Sequence, residues 1–335
     1  MKRAVIVLSF LALFTIGTAQ TTVTQTQPVE PRPGKPVVIP TRYDEHRFVA
    51  TPVTVDNVTL YLFTDSAGSL FLYKDVVDQL RLSATTLKGV SDSGGDLTVV
   101  SLPIFKPNSS IPSPLGGHYE GRVFVFPRKE DAVRNSMSRI DGMLGQQWFA
   151  GRVWTFDYPN KTLLWRSPDD LPPHDKSHEV KLGFKTSPSG RRQNNFARIP
   201  IEIDGETIDF VLDTGATNVL SEDVLKQLGD GRPAERASSF LVRSVFERWH
   251  KQHPDWHTLE NVKTLTGSAM LEVPSITIGG FKVGPVWFTV QSDVGFQSVL
   301  GSLMDKPIQG ALGGSALHYL RMTVDWPNGI AIFER

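Results

Sequence analysis

The alternation of apolar and polar residues along the chain predicts short strands separated by turns. The apolar run at residues 210–220 is interrupted once, by Asp213-Thr214-Gly215, and Asp and Gly are residues that end strands. We therefore predict that Asp213 lies at the end of a strand, inside a tight loop. A carboxylate held there by backbone N–H groups can act as a general acid or base, although the same pattern also fits an ordinary turn that Asp213 caps.

Few other segments have a clear helical pattern. Apolar residues at helical spacing predict a short helix at residues 74–82 and a second helix, in an insertion at about residues 232–262, that packs against the rest of the chain. Runs of strand-forming residues at 276–281 and 286–290 predict a strand pair. The pattern as a whole is typical of an all-β protein with few short helices.

Two further segments predict hairpins, at residues 90–100 and at residues 264–271. Each has strand-forming residues on both sides of a glycine-containing turn. The residues at these turns are Gly94 and Gly95 in the first hairpin and Thr266, Gly267 and Ser268 in the second.

The pattern around Asp213 occurs twice in the chain. Residues 48–80 align with residues 196–228 without a gap, and the alignment places Asp65 opposite Asp213. Identical matches include Phe48 with Phe196, Pro52 with Pro200, Asp75 with Asp223 and Leu80 with Leu228. The chain therefore carries two acids in equivalent positions.

The later part of each half also repeats. Residues 140–145 match residues 308–313, and both matches continue into a strand that ends at an Asp and a Pro-Asn turn. We interpret the two halves as copies of one unit and predict two lobes, at residues 45–166 and 196–335. Residues 167–195, which are rich in proline and charge, form the linker between them.

This arrangement resembles the aspartic peptidases. In that family each lobe supplies one Asp from an apolar-Asp-Thr/Ser-Gly loop, and an apolar-apolar-Gly element packs beneath the loop. Residues 143–145 and 311–313 match the second element. The resemblance covers nearly all of the chain after residue 45, and it implies an all-β, two-lobed aspartic peptidase-like fold: two related β-barrel-like lobes with a cleft between them and few short helices.

The resemblance implies an aspartic endopeptidase that hydrolyses peptide bonds with water activated between Asp213 and Asp65. Ser66, Thr214 and Gly215 would support the two loops. The predicted hairpins would fold over the substrate as flaps, and the alternative is that they are plain surface hairpins. One carboxyl would be ionised to take a proton from water, and the other would be protonated to donate to the carbonyl oxygen of the substrate.

The first loop departs from the family pattern at one position. Ala67 stands where the family has Gly, which adds a methyl group where two loops approach each other closely. This residue motivates an alternative function in the same fold, a catalytically inactive protein that binds peptides or a partner protein through the cleft. The second loop continues into Ala216, as in retroviral-type members.

The composition argues against several other classes of protein. The chain has 35 basic and 35 acidic residues and no cysteine, so neither a field that favours nucleic acid or an anionic membrane nor thiolate chemistry is expected. It contains no Gly-X-Ser-X-Gly or His-Glu-X-X-His motif, and His250, His253 and His257 fit no standard zinc spacing. We expect no metal or cofactor, a peptide or protein substrate, and a monomer that contains both acids.

Residues 1–19 have the features of a secretory signal. Two basic residues precede an apolar run at residues 4–16, and small residues lead to a cleavage site after Ala19. The sequence therefore predicts export to the periplasm or secretion. An uncleaved anchor is the alternative, but the apolar run is shorter than the roughly 20 residues that span a membrane. Residues 20–44 predict an extended, poorly packed leader.

Overall fold

The computed structural model of the chain describes residues 30–89, 95–115, 121–128, 140–262 and 268–335. The predicted signal at residues 1–19 and the first part of the predicted leader lie outside these ranges. Strands dominate the described residues and the helices are short, as the sequence predicts. These residues contain no helix that is long and apolar enough to cross a membrane.

The elements are as follows. The strands of the first half are β1 (Val37–Ile39), β2 (Thr41–Asp44), β3 (Arg47–Ala50), β4 (Leu62–Thr64), β5 (Phe71–Tyr73), β6 (Thr85–Leu87), β7 (Leu97–Val100), β8 (Val123–Phe126), β9 (Gly142–Leu144), β10 (Val153–Asp157) and β11 (Thr162–Arg166). The strands of the second half are β12 (Glu179–Lys181), β13 (Arg198–Ile203), β14 (Glu206–Leu212), β15 (Thr217–Val219), β16 (Glu235–Ala237), β17 (Ser239–Val242), β18 (Thr258–Leu259), β19 (Met270–Val273), β20 (Ile276–Ile278), β21 (Phe281–Val283), β22 (Val286–Gln291), β23 (Gly310–Leu312), β24 (Arg321–Asp325) and β25 (Ile330–Glu334). The α-helices are α1 (Lys74–Gln79), α2 (Gln146–Phe149), α3 (Glu222–Leu228), α4 (Arg243–Gln252) and α5 (Gly314–Leu317).

Three large sheets give the chain two lobes. The first lobe is built on an eight-stranded sheet in the order β2-β3-β4-β9-β5-β8-β7-β6, and the second on a nine-stranded sheet in the order β18-β19-β22-β17-β23-β14-β13-β20-β21. A six-stranded sheet, β1-β11-β10-β24-β25-β12, joins them and takes three strands from each half. Each sheet has an edge strand on both sides, so within the described ranges no sheet closes into a barrel, and the lobes are open versions of the barrel-like lobes that the resemblance implies.

Corresponding strands of the two lobes have corresponding neighbours. Strand β4 pairs in parallel with β9, and β14 pairs in parallel with β23. On its other side β9 pairs with β5 in antiparallel fashion, as β23 does with β17. The repeat in the sequence is therefore a repeat of strand pairing.

The position of the additional segment in the second lobe differs from the prediction. Phe71 of β5 pairs with Met143 of β9, and Phe240 of β17 pairs with Ala311 of β23. Strand β17 and helix α4 are thus the counterparts of β5 and α1. The segment without a counterpart in the first lobe is residues 217–237, which contain β15, α3 and β16, whereas the sequence suggested an insertion at about 232–262.

Three other local predictions need correction. Residues 37–44 of the predicted leader form β1 and β2, because their β-branched and aromatic side chains pair with β11 and β3. The helix predicted within residues 232–262 begins only at Arg243, and the residues before it, including Phe240, form β17. Strand β20 pairs with β21 through a tight Gly-Gly turn, so β22 pairs with β19 and β17 and not with β20.

The core continues from one lobe into the other. One apolar cluster contains buried side chains of both halves, with large aromatic residues close to the six-stranded sheet. Phe149 of the first lobe stacks on Trp326 of the second, with ring centroids 5.3 Å apart. At the centre of that sheet, Thr155 of β10 lies opposite Thr323 of β24, and their hydroxyls are 2.7 Å apart. This packing fixes the lobes against each other and sets the distance between their loops.

Candidate active site

Two equivalent strands end at the two acids that the sequence singles out. Asp65 follows β4, and its N–H donates to the carbonyl of Leu144 in β9 at 3.1 Å. Asp213 follows β14, and its N–H donates to the carbonyl of Leu312 in β23 at 3.0 Å. Each acid is therefore held at the end of a strand by the apolar-apolar-Gly element of its own lobe.

The two loops are bonded directly to each other. The N–H of Ser66 donates to the hydroxyl of Thr214 at 3.1 Å, and the N–H of Thr214 donates to the hydroxyl of Ser66 at 3.0 Å. The Ser66 hydroxyl also donates to the carbonyl of Leu212 at 2.7 Å. Ser66 and Thr214 are each 1% exposed, so these bonds are shielded from water. Ser66 and Thr214 therefore lie between the two loops and bond them to each other.

Backbone groups hold each carboxyl in its loop. The N–H of Ala67 donates to Asp65 Oδ1 at 2.9 Å, and the N–H of Gly215 donates to Asp213 Oδ1 at 3.2 Å. Both aspartates keep some exposed surface, whereas the residues that follow them are buried. Each acid is therefore less buried than the residue that follows it in its loop.

The two carboxyls lie close enough for each to shift the pKa of the other, so they titrate as a pair. Burial raises the pKa of Asp213 well above its ordinary value, and the negative charge of Asp65 raises it further. Burial also raises the pKa of Asp65, and the N–H groups of Ala67 and Gly68 oppose that rise. Two carboxyls that raise each other's cost of ionisation cannot both ionise easily, so the pair loses one proton and retains the second.

The approach of the two loops leaves no room for a side chain at Gly215. A Cβ atom built there would lie 2.5 Å from Asp65 Cγ and 2.8 Å from Asp65 Oδ2. On the first loop the same position is occupied by Ala67, whose methyl group is accommodated. The two loops therefore differ at this position, and the site is asymmetric.

Each predicted hairpin lies partly outside the described ranges, and the strand that pairs with its second arm begins before the predicted bounds. Strand β6 pairs with β7, and β18 pairs with β19, both in antiparallel fashion. Gly94, Thr266 and Gly267 fall outside the described residues. Gly95 lies just before β7, and Ser268 is buried, with its carbonyl accepting from Val262 at 2.7 Å.

Pattern reasoning missed a buried cation beside the second loop. Arg47 is 3% exposed, and its guanidinium donates to the hydroxyl of Thr217 at 3.1 Å and to a carboxylate oxygen of Glu235 at 2.5 Å. The Thr217 hydroxyl donates in turn to the carbonyl of Gly215 at 2.8 Å. The only signal in the sequence is that Arg47 is the one charged residue at the head of the apolar strand β3.

The histidines that could suggest a metal are engaged elsewhere. His253 lies 2.7 Å from Asp204, and His257 lies 3.6 Å from Glu272. Among the described residues there is no group of three or more side chains that could hold a metal ion. The chemistry that this arrangement offers is that of the two carboxyls: one takes a proton from water while the other donates to an oxygen of the substrate.

Comparison with known proteins adds similarities of overall shape. No protein-family model matches the chain, and no curated protein matches it. The chain is similar to a crystal structure of an aspartic proteinase from Irpex lacteus, with a TM-score of 0.47 and 13% identity over 89% of this chain and 96% of that chain. It is also similar to edgp, with a TM-score of 0.45 and 13% identity over 91% and 95% of the two chains. A third similarity is to conglutin gamma, a 7S globulin from lupine seeds, with a TM-score of 0.44 and 10% identity over 89% and 94%. At this level of similarity, the function has to be argued from the chain's own residues.

Proposed function

We propose that the protein is an aspartic-type endopeptidase that hydrolyses peptide bonds with water activated between Asp65 and Asp213. The observation that carries this proposal is that the two acids, each at the end of an equivalent strand in a different lobe, meet in loops that are bonded directly to each other, with the Asp65 carboxyl against Gly215. An acid that merely caps a turn has no need of a second buried acid beside it, because the pair costs free energy at neutral pH.

The mechanism follows from the shared proton. The ionised carboxyl takes a proton from a water molecule, and the water oxygen attacks the carbonyl carbon of the peptide bond. The protonated carboxyl gives its proton to the carbonyl oxygen. When the C–N bond of the resulting tetrahedral intermediate breaks, a proton passes to the leaving nitrogen. Ser66 and Thr214 keep the carboxyls at a fixed separation throughout, so the geometry is set before the substrate arrives.

The active unit is a single chain. Both acids belong to one polypeptide, and the six-stranded sheet joins the lobes that carry them, so their encounter needs no second copy. We also propose, from the signal at residues 1–19, that the chain is exported and acts on peptides or proteins outside the cytoplasm.

Replacement of either acid tests the proposal. Protein lacking residues 1–19 should cleave an unfolded protein, and Asp213→Asn and Asp65→Asn should each lower the rate by about 10²–10⁴-fold, because each removes one partner of the proton transfer. Asp223→Asn, at an exposed acid, is the control and should keep the full rate. A chelator should have no effect. Activity that survives Asp213→Asn, or that disappears with chelator, would contradict the mechanism.

Ala67 favours one alternative, a protein that binds peptides through the same site without cleaving them. Its methyl group occupies the position that corresponds to Gly215, where the second loop has no room for a side chain. A binder of this kind would retain an unfolded peptide without hydrolysing it, and Asp65→Asn would leave the retention unchanged. Cleavage by the wild-type chain decides against it.

A further inference from the structure

The Asp213 loop is contacted by a cation from the opposite lobe. Arg47 begins β3 of the first lobe, and its side chain is almost wholly buried. Both groups that accept from its Nη1 atom belong to the segment 217–237, which has no counterpart in the first lobe: Thr217 at 3.1 Å and Glu235 at 2.5 Å. The contact therefore crosses the boundary between the lobes.

Two sets of hydrogen bonds, joined through the backbone of Gly215, connect this guanidinium to the acid. A hydroxyl has one proton to donate, and Thr217 donates it to the carbonyl of Gly215 at 2.8 Å, so its oxygen accepts from Arg47. The N–H of Gly215 then donates to Asp213 Oδ1 at 3.2 Å. A hydrogen bond from a cation is stronger than one from a neutral donor, so Thr217 is held firmly in the orientation that fixes the Gly215 carbonyl.

The counterpart interaction at the first loop is neutral. Asn195 directly precedes the second copy of the repeat, as Arg47 precedes the first, and the N–H of Asn195 donates to the side-chain oxygen of Gln146 at 2.7 Å. The N–H of Gln146 donates to the carbonyl of Gly68 in the first loop at 3.0 Å. Each loop is therefore held from the other half of the chain, and among the described residues a buried charge holds the second loop but not the first.

A role in stability alone does not account for this charge. Arg47 and Glu235 are both at least nine-tenths buried, and the loss of hydration of such a pair commonly cancels its attraction, so that apolar side chains of similar volume serve stability as well or better. What apolar side chains cannot supply is a directed donor to Thr217. The ring of Phe63 lies 5.9 Å from the guanidinium carbon and limits its movement on the other side.

We propose that Arg47 is a positioning residue, which holds the Asp213 loop from the opposite lobe through Thr217, with Glu235 fixing the guanidinium in place. This inference rests on the proposed peptidase function. Arg47 does not touch the acids, so its effect is on their alignment, and a misplacement of about 1 Å can cost about 10²-fold in rate.

The test separates alignment from stability. In the double variant Arg47→Met with Glu235→Leu, the buried pair is replaced by apolar volume, so the melting temperature should stay near that of the wild type. Its kcat should fall by about 10- to 100-fold with little change in KM. Thr217→Val, which removes only the hydroxyl, should give the same loss, and Thr217→Ser, which keeps it, should retain the rate. Adding Thr217→Val to the double variant should cause little further loss, because the residues act in series.

Arg232→Met provides the matched control. Arg232 belongs to the same segment and also crosses to the first lobe, where it pairs with Glu45 at 2.6 Å, but it is more exposed and has no bond to the loop. Its loss should leave kcat at the wild-type value. If the double variant folds and keeps its kcat, or if Thr217→Val keeps the rate, the positioning role is refuted.

A readout without turnover separates this inference from the proposed function. If the wild-type chain cleaves nothing, the peptidase proposal fails, but the pair of acids still shares a proton. The difference in melting temperature between wild type and Asp213→Asn, followed against pH, reports that proton. When the same difference is measured in the Thr217→Val background, the curve should be shifted along the pH axis, since this substitution changes the alignment of the two carboxyls. An unshifted curve would refute the positioning role by itself.

Discussion

Adding a single methyl group at position 215 should displace the groups of the site while leaving both acids in the sequence. In Gly215→Ala the new Cβ atom would lie 2.5 Å from Asp65 Cγ, and an ordinary contact begins at about 3.4 Å. Either the loop or the Asp65 side chain has to move by the difference, close to 1 Å. A displacement of that size costs about 10²-fold in rate, and overpacking of a close contact costs about 1–3 kcal/mol in stability. The acids themselves are unchanged.

The assay is the kcat for hydrolysis of an unfolded protein, with the melting temperature measured on the same samples. Gly295→Ala is the control, because a Cβ there meets its nearest atom, Ser292 Oγ, at 3.4 Å. Ala67→Gly is the converse change and should preserve or raise kcat, since it removes a methyl group at the corresponding position of the first loop. A Gly215→Ala variant with wild-type kcat would refute the close approach of the loops on which the asymmetry of the site depends.

Three further predictions concern stability. Burial and the charge of Asp65 raise the pKa of Asp213, so the fold loses stability as pH rises through that pKa. The melting temperature of Asp213→Asn should therefore be above that of the wild type at pH 7, and the difference should vanish near pH 3. Ser66→Ala leaves the Leu212 carbonyl and the Thr214 N–H without their bonds and should cost about 2–4 kcal/mol by denaturant unfolding, against no change for the exposed Ser189→Ala. The pKa of His46 is lowered from 6.5 to about 3 by burial and by the charges of His318, Arg232, Lys161 and Arg47. Stability is therefore lost as pH falls from 6.5 towards 3, and His46→Phe should reduce that loss. An unchanged slope of melting temperature against pH would contradict the assignment.

The loops could be predicted because their signals are local. Asp and Gly end strands by their own backbone preferences, and the repeat places Asp65 opposite Asp213 without any knowledge of the fold. The cross-bonds of Ser66 and Thr214 follow from the same alignment once the resemblance is accepted. These parts of the site depend on residues within a few positions of each acid.

The alignment fails just beyond the loops for a physical reason. Helices α1 and α3 both follow a short strand, and Val76 and Val224 both face the core, so the two segments look alike in sequence. Strand pairing shows that the counterpart of β5 is β17, where Phe71 and Phe240 occupy the same place beside the central strand. Local periodicity contains no information on which of two similar segments pairs with a distant strand.

Arg47 shows a second limit. Its partner Glu235 is 188 residues away, and an ion pair leaves no periodic pattern in either segment. A lone cation at the head of a buried strand indicates that a partner is needed, since a buried charge without one is costly, but it does not say where that partner lies.

The seam between β10 and β24 has the register of a contact between two copies of one chain. Val153 pairs with Asp325 and Asp157 pairs with Arg321, and the repeat relates Val153 to Arg321 and Asp157 to Asp325. Each half thus presents the same strand to the other in reverse order, with Thr155 and Thr323 on the axis between them, as at a two-fold interface. A half-molecule cut at the linker would expose β10 as an unpaired edge whose best partner is β10 of another half-molecule, with Thr155 facing Thr155. Separated first halves should therefore be recovered as dimers joined through this strand.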